Sequence, residues 1–157
     1  MICDLTGAQY SIAMINGTSA LHMALAGVGV EENHEVLTQA LSFVATANAI
    51  KYCSASPIFV DSNKENLGMC PESLKRFCKE FIEVKNGTPI NKSSGKKIGA
   101  CVPVHIFGHP AKVDELKVIS EEFGIPLLED SAEALGSFRS QIHCGRFGKF
   151  GTLSFNG

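Results

Sequence analysis

Apolar positions along the chain fall into two alternating kinds of segment. Short apolar runs, the length of buried strands, occupy residues 10–15, 35–38, 57–60, 98–104 and 125–128. Stretches of helical character lie between them. Residues 18–26 open with Thr18-Ser19 after the turn signal Asn16-Gly17 and continue through Ala20, Leu21, Met23, Ala24 and Leu25, which are good helix formers. Residues 43–53 read as a second helix. Pro71 opens the clearest one, because Leu74, Phe77, Cys78, Phe81 and Ile82 recur at i, i+3, i+4, i+7 and i+8 while Glu72, Lys75, Lys79 and Glu80 fall elsewhere on its surface. Val113, Leu116, Ile119 and Phe123 mark a further helix ahead of the run at 125–128.

Strands that alternate with helices imply a mostly parallel sheet covered on both faces, a three-layer α/β/α arrangement. Residues 86–97 interrupt the rhythm: they are polar and contain Gly87, Pro89, Ser93, Ser94 and Gly95, the composition of an exposed loop. No aromatics interleave with the lysines of that stretch, so a solvated loop explains them better than contact with RNA.

Composition narrows the class further. A chain of 157 residues with 45% hydrophobic and 19% charged content supports one globular domain with a real core. A net charge of −2 gives no electrostatic case for nucleic acid. No apolar run approaches the roughly 20 residues that a spanning helix needs, and Met1-Ile2-Cys3-Asp4 has no basic region leading into an apolar core, so a cytoplasmic location is expected. Six cysteines occur without any Cys-x-x-Cys pair, which argues against a zinc knot or a dithiol redox site and for reduced thiols.

Candidate chemistry clusters at the ends of the apolar runs, where open α/β sheets bind ligands. Thr18 and Ser19 sit between a strand and a helix, where free backbone N–H groups and two hydroxyls can face a phosphate; an ordinary helix cap fits the same residues. Asp130 closes the apolar run at 125–128. It reads either as a cap for the following turn or as an anionic partner that keeps a heterocyclic nitrogen protonated. Phe43 can stack on a flat ring or belong to the core. His105 and His109 flank Gly108 and sit beside Pro110, which speaks against a helical two-histidine metal site and for loop or pocket-wall histidines.

Five blocks occur together: 16–21 (Asn-Gly-Thr-Ser-Ala-Leu), 42–48 (Ser-Phe-Val-Ala-Thr-Ala-Asn), 104–110 (Val-His-Ile-Phe-Gly-His-Pro), 129–133 (Glu-Asp-Ser-Ala-Glu) and 154–157 (Ser-Phe-Asn-Gly). In order and spacing the chain resembles the DegT/DnrJ/EryC1/StrS family of sugar aminotransferases, and its subgroup of perosamine-synthase-like and legionaminic-acid-pathway enzymes. The resemblance implies the large domain of a fold-type I transferase that uses pyridoxal 5′-phosphate, spanning residues 1–157 in part and lacking the small C-terminal domain. It implies Thr18, Ser19 and Ser154 on the coenzyme phosphate, Phe43 stacked on the pyridine ring, Asp130 on the ring nitrogen, Ala132 against the opposite ring face and Glu133 near the phenolic oxygen.

It further implies transfer of an amino group from glutamate to a nucleotide-linked 4-keto-6-deoxy sugar, by a homodimer. Some members are sugar dehydratases with histidine in place of the Schiff-base lysine. That lysine falls two residues beyond Gly157, and Lys51, Lys97 and Lys149 lie in no matching motif. The expectation is therefore a piece of a larger enzyme, inactive by itself. A non-catalytic module that binds a phosphate or nucleotide at Thr18 is the competing reading.

Overall fold

A computed structural model describes residues 1–155. In chain order its helices are α1 (Ile2–Thr6), α2 (Gly17–Gly27), α3 (Val44–Tyr52), α4 (Pro71–Phe81) and α5 (Val113–Glu122), with one 3₁₀ turn at Ile106–Gly108. The strands are β1 (Glu35–Gln39), β2 (Ser56–Val60), β3 (Ile82–Lys85), β4 (Thr88–Asn91), β5 (Ile98–Val102), β6 (Leu128–Asp130), β7 (Phe138–Arg139), β8 (Ile142–His143) and β9 (Phe150–Thr152).

The central sheet is parallel. β1 lies between β2 and β5, with Leu37 opposite Ile58 on one side and Cys101 on the other. Parallel bridges from Cys101 to Leu127 and from Val104 to Asp130 join β5 to β6, and β6 pairs with β9 from Leu128 opposite Phe150 to Asp130 opposite Thr152. The order across the sheet is therefore β2-β1-β5-β6-β9.

Side-chain alternation along these strands feeds two separate cores. Leu37, Cys101 and Leu127 face Leu74 and Cys78 of α4 and Leu116 and Ile119 of α5. Val36, Ala100, Val102 and Leu128 face Leu21 and Leu25 of α2 and Ala49 and Ile50 of α3. A strand apolar on both faces can be buried only between two helical layers, which is why these runs are continuous rather than alternating. Burial pushes the Cys78 and Cys101 thiols up to about 12, so both are inert at neutral pH.

The strand expected at 125–128 runs instead from Leu128 to Asp130, with Leu127 in a single bridge to Cys101, and three further segments differ from the sequence reading. Residues 10–15 form no strand: Tyr10, Ile12 and Ile15 are about 80–90% exposed, at 78%, 82% and 89%. An extended apolar run becomes a strand only where a neighbour takes its backbone hydrogen bonds, and among the described residues none does. Residues 86–97 are not a loose loop, because β3 and β4 close a hairpin over Asn86-Gly87 and Asn91 is buried, donating from Nδ2 to Glu35 Oε2 at 2.8 Å. The α4 helix stops at Phe81, and Ile82 keeps its place in the core as the first residue of β3.

Candidate active site

The carboxyl ends of β1, β5, β6 and β9 and the amino ends of α2 and α3 converge at one edge of the sheet. Asp130 ends β6 there and is 4% exposed. Thr46, in the first turn of α3, donates from Oγ1 to Asp130 Oδ2 at 2.7 Å, and the Ser42 hydroxyl lies 2.7 Å from Thr46 Oγ1. With the one proton of Thr46 on the carboxylate, the single Ser42 proton lies between Thr46 Oγ1 and the Phe43 carbonyl, which the Ser42 hydroxyl reaches at 3.0 Å. The Ala132 N–H donates to Asp130 Oδ1 at 3.3 Å, so the acid also caps its own turn. The capping reading of Asp130 is thus met by its Oδ1, while its Oδ2 is held by Thr46. Burial pushes its carboxyl above the usual range, and the Thr46 hydroxyl and the Ala132 N–H partly hold it down.

Phe43 is the N-cap residue of α3, three positions before Thr46, and its ring is 78% exposed. It does not belong to the core. Its extended backbone lets α3 begin at Val44 while the ring stays at the helix end that delivers Thr46 to Asp130.

The first residue of α2 meets Ser154. Asn16 caps α2 by accepting the Ser19 N–H on Oδ1 at 2.8 Å, which aligns the first turn but uses the Ser19 amide. A Cβ on Gly17 would stand 3.1 Å from Ser154 Cβ and 3.3 Å from its Oγ. The start of α2 and Ser154 thus approach as closely as a bare backbone allows. Ser154 donates its N–H to the Ala132 carbonyl at 3.2 Å, and the Ala132 N–H donates to the Asp130 side chain, so two hydrogen bonds link Asp130, Ala132 and Ser154. Asn156 and Gly157, the last two residues of the serine block, lie outside the described residues.

Glu133 is exposed, and its Oε2 accepts the Phe107 N–H at 2.9 Å. Phe107 holds φ 51, a left-handed conformation uncommon for a residue with a side chain, and its ring is exposed. The carboxylate of Glu133 therefore stabilises the 3₁₀ turn after β5.

Several residues at this edge escaped the sequence reading. Gln39 is buried at the end of β1, accepting the Val104 N–H on Oε1 at 3.1 Å and donating to the Leu41 and Leu67 carbonyls. His105 is not a pocket-wall residue. It is fully buried, with Nε2 3.0 Å from Glu129 Oε2 and Nδ1 accepting the Ala111 N–H at 3.0 Å. The signal for Glu129 was its place beside Asp130: adjacent strand residues face opposite ways, so one acid at the active edge requires a second partner for the other.

The whole chain, residues 1–157, matches the model of the DegT/DnrJ/EryC1/StrS aminotransferase family. EpsN of Bacillus subtilis (strain 168), which bears the name of a pyridoxal phosphate-dependent aminotransferase, is 36% identical over 156 residues, covering 99% of this chain and 38% of that protein. GDP-perosamine synthase of Escherichia coli O157:H7 is 35% identical over 149 residues, covering 95% of this chain and 36% of the synthase. The crystal structure of 3-amino-5-hydroxybenzoic acid synthase superposes with a TM-score of 0.83 at 28% identity, over 99% of this chain and 36% of that one. This chain thus spans somewhat over a third of the length of these relatives and has their fold-type I architecture. It belongs to the DegT/DnrJ/EryC1/StrS aminotransferase family.

Proposed function

We propose that the enzyme to which this chain belongs transfers an amino group from glutamate to a nucleotide-linked 4-keto-6-deoxy sugar, using pyridoxal 5′-phosphate bound at the edge formed by β6, α2 and α3. The observation that carries this reading is the buried Asp130 with its Thr46 donor, linked through two hydrogen bonds to a serine pressed against a helix amino end. A phosphate needs donors, and the first turn of α2, which Gly17 lets approach Ser154, is where helix N–H groups and hydroxyls lie. A pyridine nitrogen needs an anion shielded from water, and Asp130 is one.

The residues fit the coenzyme as follows. Thr18, Ser19 and Ser154 would hold the phosphate, Phe43 and Ala132 would bound the ring, Asp130 would hold a proton on the ring nitrogen, and Glu133 would lie near the phenolic oxygen. When bound, the coenzyme supplies an electron sink for the carbon that gains or loses the amino group. Thr46 keeps Asp130 oriented and favours its ionised form by donating to it, so that its charge is directed at the ring nitrogen rather than at solvent. The sugar substrate is read from the similarity to GDP-perosamine synthase. A homodimer is part of the same reading, and the exposed Tyr10, Ile12 and Ile15 give apolar surface for a second chain to cover.

The test is to supply the complete transferase with glutamate and a GDP- or UDP-linked 4-keto-6-deoxy sugar and to follow 2-oxoglutarate and the amino sugar together. Equimolar formation of both, abolished by Asp130→Ala, is expected. Release of a deoxygenated sugar without consumption of glutamate contradicts the reading.

A further inference from the structure

Glu129 is fully buried, and each of its carboxylate oxygens has two donors. Oε1 accepts the Phe147 N–H at 2.6 Å and the Gly148 N–H at 2.9 Å. Oε2 accepts the Gly145 N–H at 2.8 Å and faces His105 Nε2 at 3.0 Å. The Ala111 N–H occupies His105 Nδ1, which leaves the imidazole proton on Nε2, directed at Glu129. A carboxylate is acceptor-only, and here all four of its sites are used.

What these bonds hold is specific. Residues 145–148 have no strand partner of their own, and they lead into β9, whose end delivers Ser154 to the start of α2. Gly145 sits at φ +94, where a Cβ would meet Ser131 Oγ at 3.2 Å, so this backbone is pressed against β6 and the residue after Asp130. Glu129 and Asp130 therefore divide one strand end between them: Asp130 faces the pocket side with α3, and Glu129 faces the opposite side and grips the loop.

We propose that Glu129 is a positioning residue for the coenzyme-phosphate pocket, acting through residues 145–148 and β9 to set Ser154 against the first turn of α2. It touches no ligand itself. The inference rests on the coenzyme reading above and adds to it the residue that fixes the far wall of the phosphate site. Replacement by glutamine keeps the volume but turns an N–H₂ group toward N–H donors, so two of the four bonds lose their acceptor.

The experiment compares binding of pyridoxamine 5′-phosphate with that of pyridoxamine, neither of which condenses with lysines, in the 157-residue chain and its E129Q, S154A and double variants. The unaltered chain should prefer the phosphorylated ligand. E129Q should lower affinity for it on the order of tenfold while leaving pyridoxamine affinity unchanged. S154A should add little once E129Q is present, because effects that run through one contact are not additive. Selectivity retained in E129Q, or two effects that multiply independently, overturns this inference alone. An unaltered chain with no preference for the phosphorylated ligand overturns the coenzyme reading and this inference with it. A measurement on the unaltered chain stands apart from whether the variant folds: the amides of Gly145, Phe147 and Gly148 should resist hydrogen exchange, and exchange at free-peptide rates overturns the proposal.

Discussion

Thr46 and Asp130 are 84 positions apart in the chain, and the threonine hydroxyl donates to the buried carboxylate at 2.7 Å. That one bond ties α3 to the end of β6 and sets the direction in which the charge points. Thr46→Val preserves shape and removes the donor. It should cost about 1–3 kcal/mol in chemical denaturation, because a buried acceptor loses a partner. It should also push the Asp130 carboxyl still higher, since burial then acts with less opposition.

The pH dependence has a definite sign. Asp130 is raised in the folded state, so the fold holds its proton more tightly than the unfolded chain does. This group favours folding most below the ordinary carboxylate range. Its contribution declines as pH rises from that range to the raised value and is constant above it. Asp130→Asn should remove this decline and leave the contribution of this site flat with pH over the range, while its amide NH₂, turned toward one of the two donors that Asp130 now accepts from, offsets the gain from withdrawing a buried charge. Urea midpoints of the two proteins measured from pH 4 to 8 check both statements.

Gly17→Ala separates stability from binding. Alanine is the better helix former by about 0.5–1 kcal/mol inside a helix, but Gly17 is the first residue of α2 and a Cβ there presses on Ser154, so the two effects offset and the melting temperature should change little. The added Cβ would stand 3.1 Å from Ser154 Cβ and narrow the space between the two, so affinity for pyridoxamine 5′-phosphate should fall on the order of tenfold. A variant that melts unchanged and binds equally well contradicts the assignment of this place to a phosphate.

His105→Ala strips one donor from Glu129 and leaves the Ala111 N–H without its acceptor, in a fully buried setting. The expected loss is about 2–4 kcal/mol in thermal or urea unfolding, since an unpaired buried polar group adds its desolvation to the lost packing. A loss no larger than that of an exposed substitution would show that the Glu129 network is dispensable.

Much of this architecture could be read from apolar spacing. The runs that became β1, β2 and β5 and the helical period of α4 sit where pattern places them, because burial between two layers leaves a continuous apolar trace in sequence, whereas β6 begins only at the last residue of the run at 125–128 and continues through two acids. Residues 10–15 carried the same trace and formed no strand, since apolar character says nothing about which neighbour accepts the backbone bonds. The short β9 and the β7–β8 hairpin were unreadable because strands of two or three residues leave too little pattern. At the site, Asp130 and Phe43 were visible as single residues at element ends, and they lie at the end of β6 and the start of α3. Thr46, Gln39 and the role of His105 were not, because each is defined by a partner far away in the chain, such as Val104 for Gln39 and Glu129 for His105.

The central claim is that Asp130 keeps a proton on the coenzyme's ring nitrogen. Pyridoxamine 5′-phosphate labelled with ¹⁵N in the ring, bound to the chain and to its Asp130→Asn variant, reports that proton directly by the nitrogen chemical shift across a pH titration. The account predicts a nitrogen that stays protonated in the unaltered chain well above the pH at which the free ligand loses its proton, and that reverts toward free-ligand behaviour in the variant. Equal titration of the bound nitrogen in both proteins would contradict it.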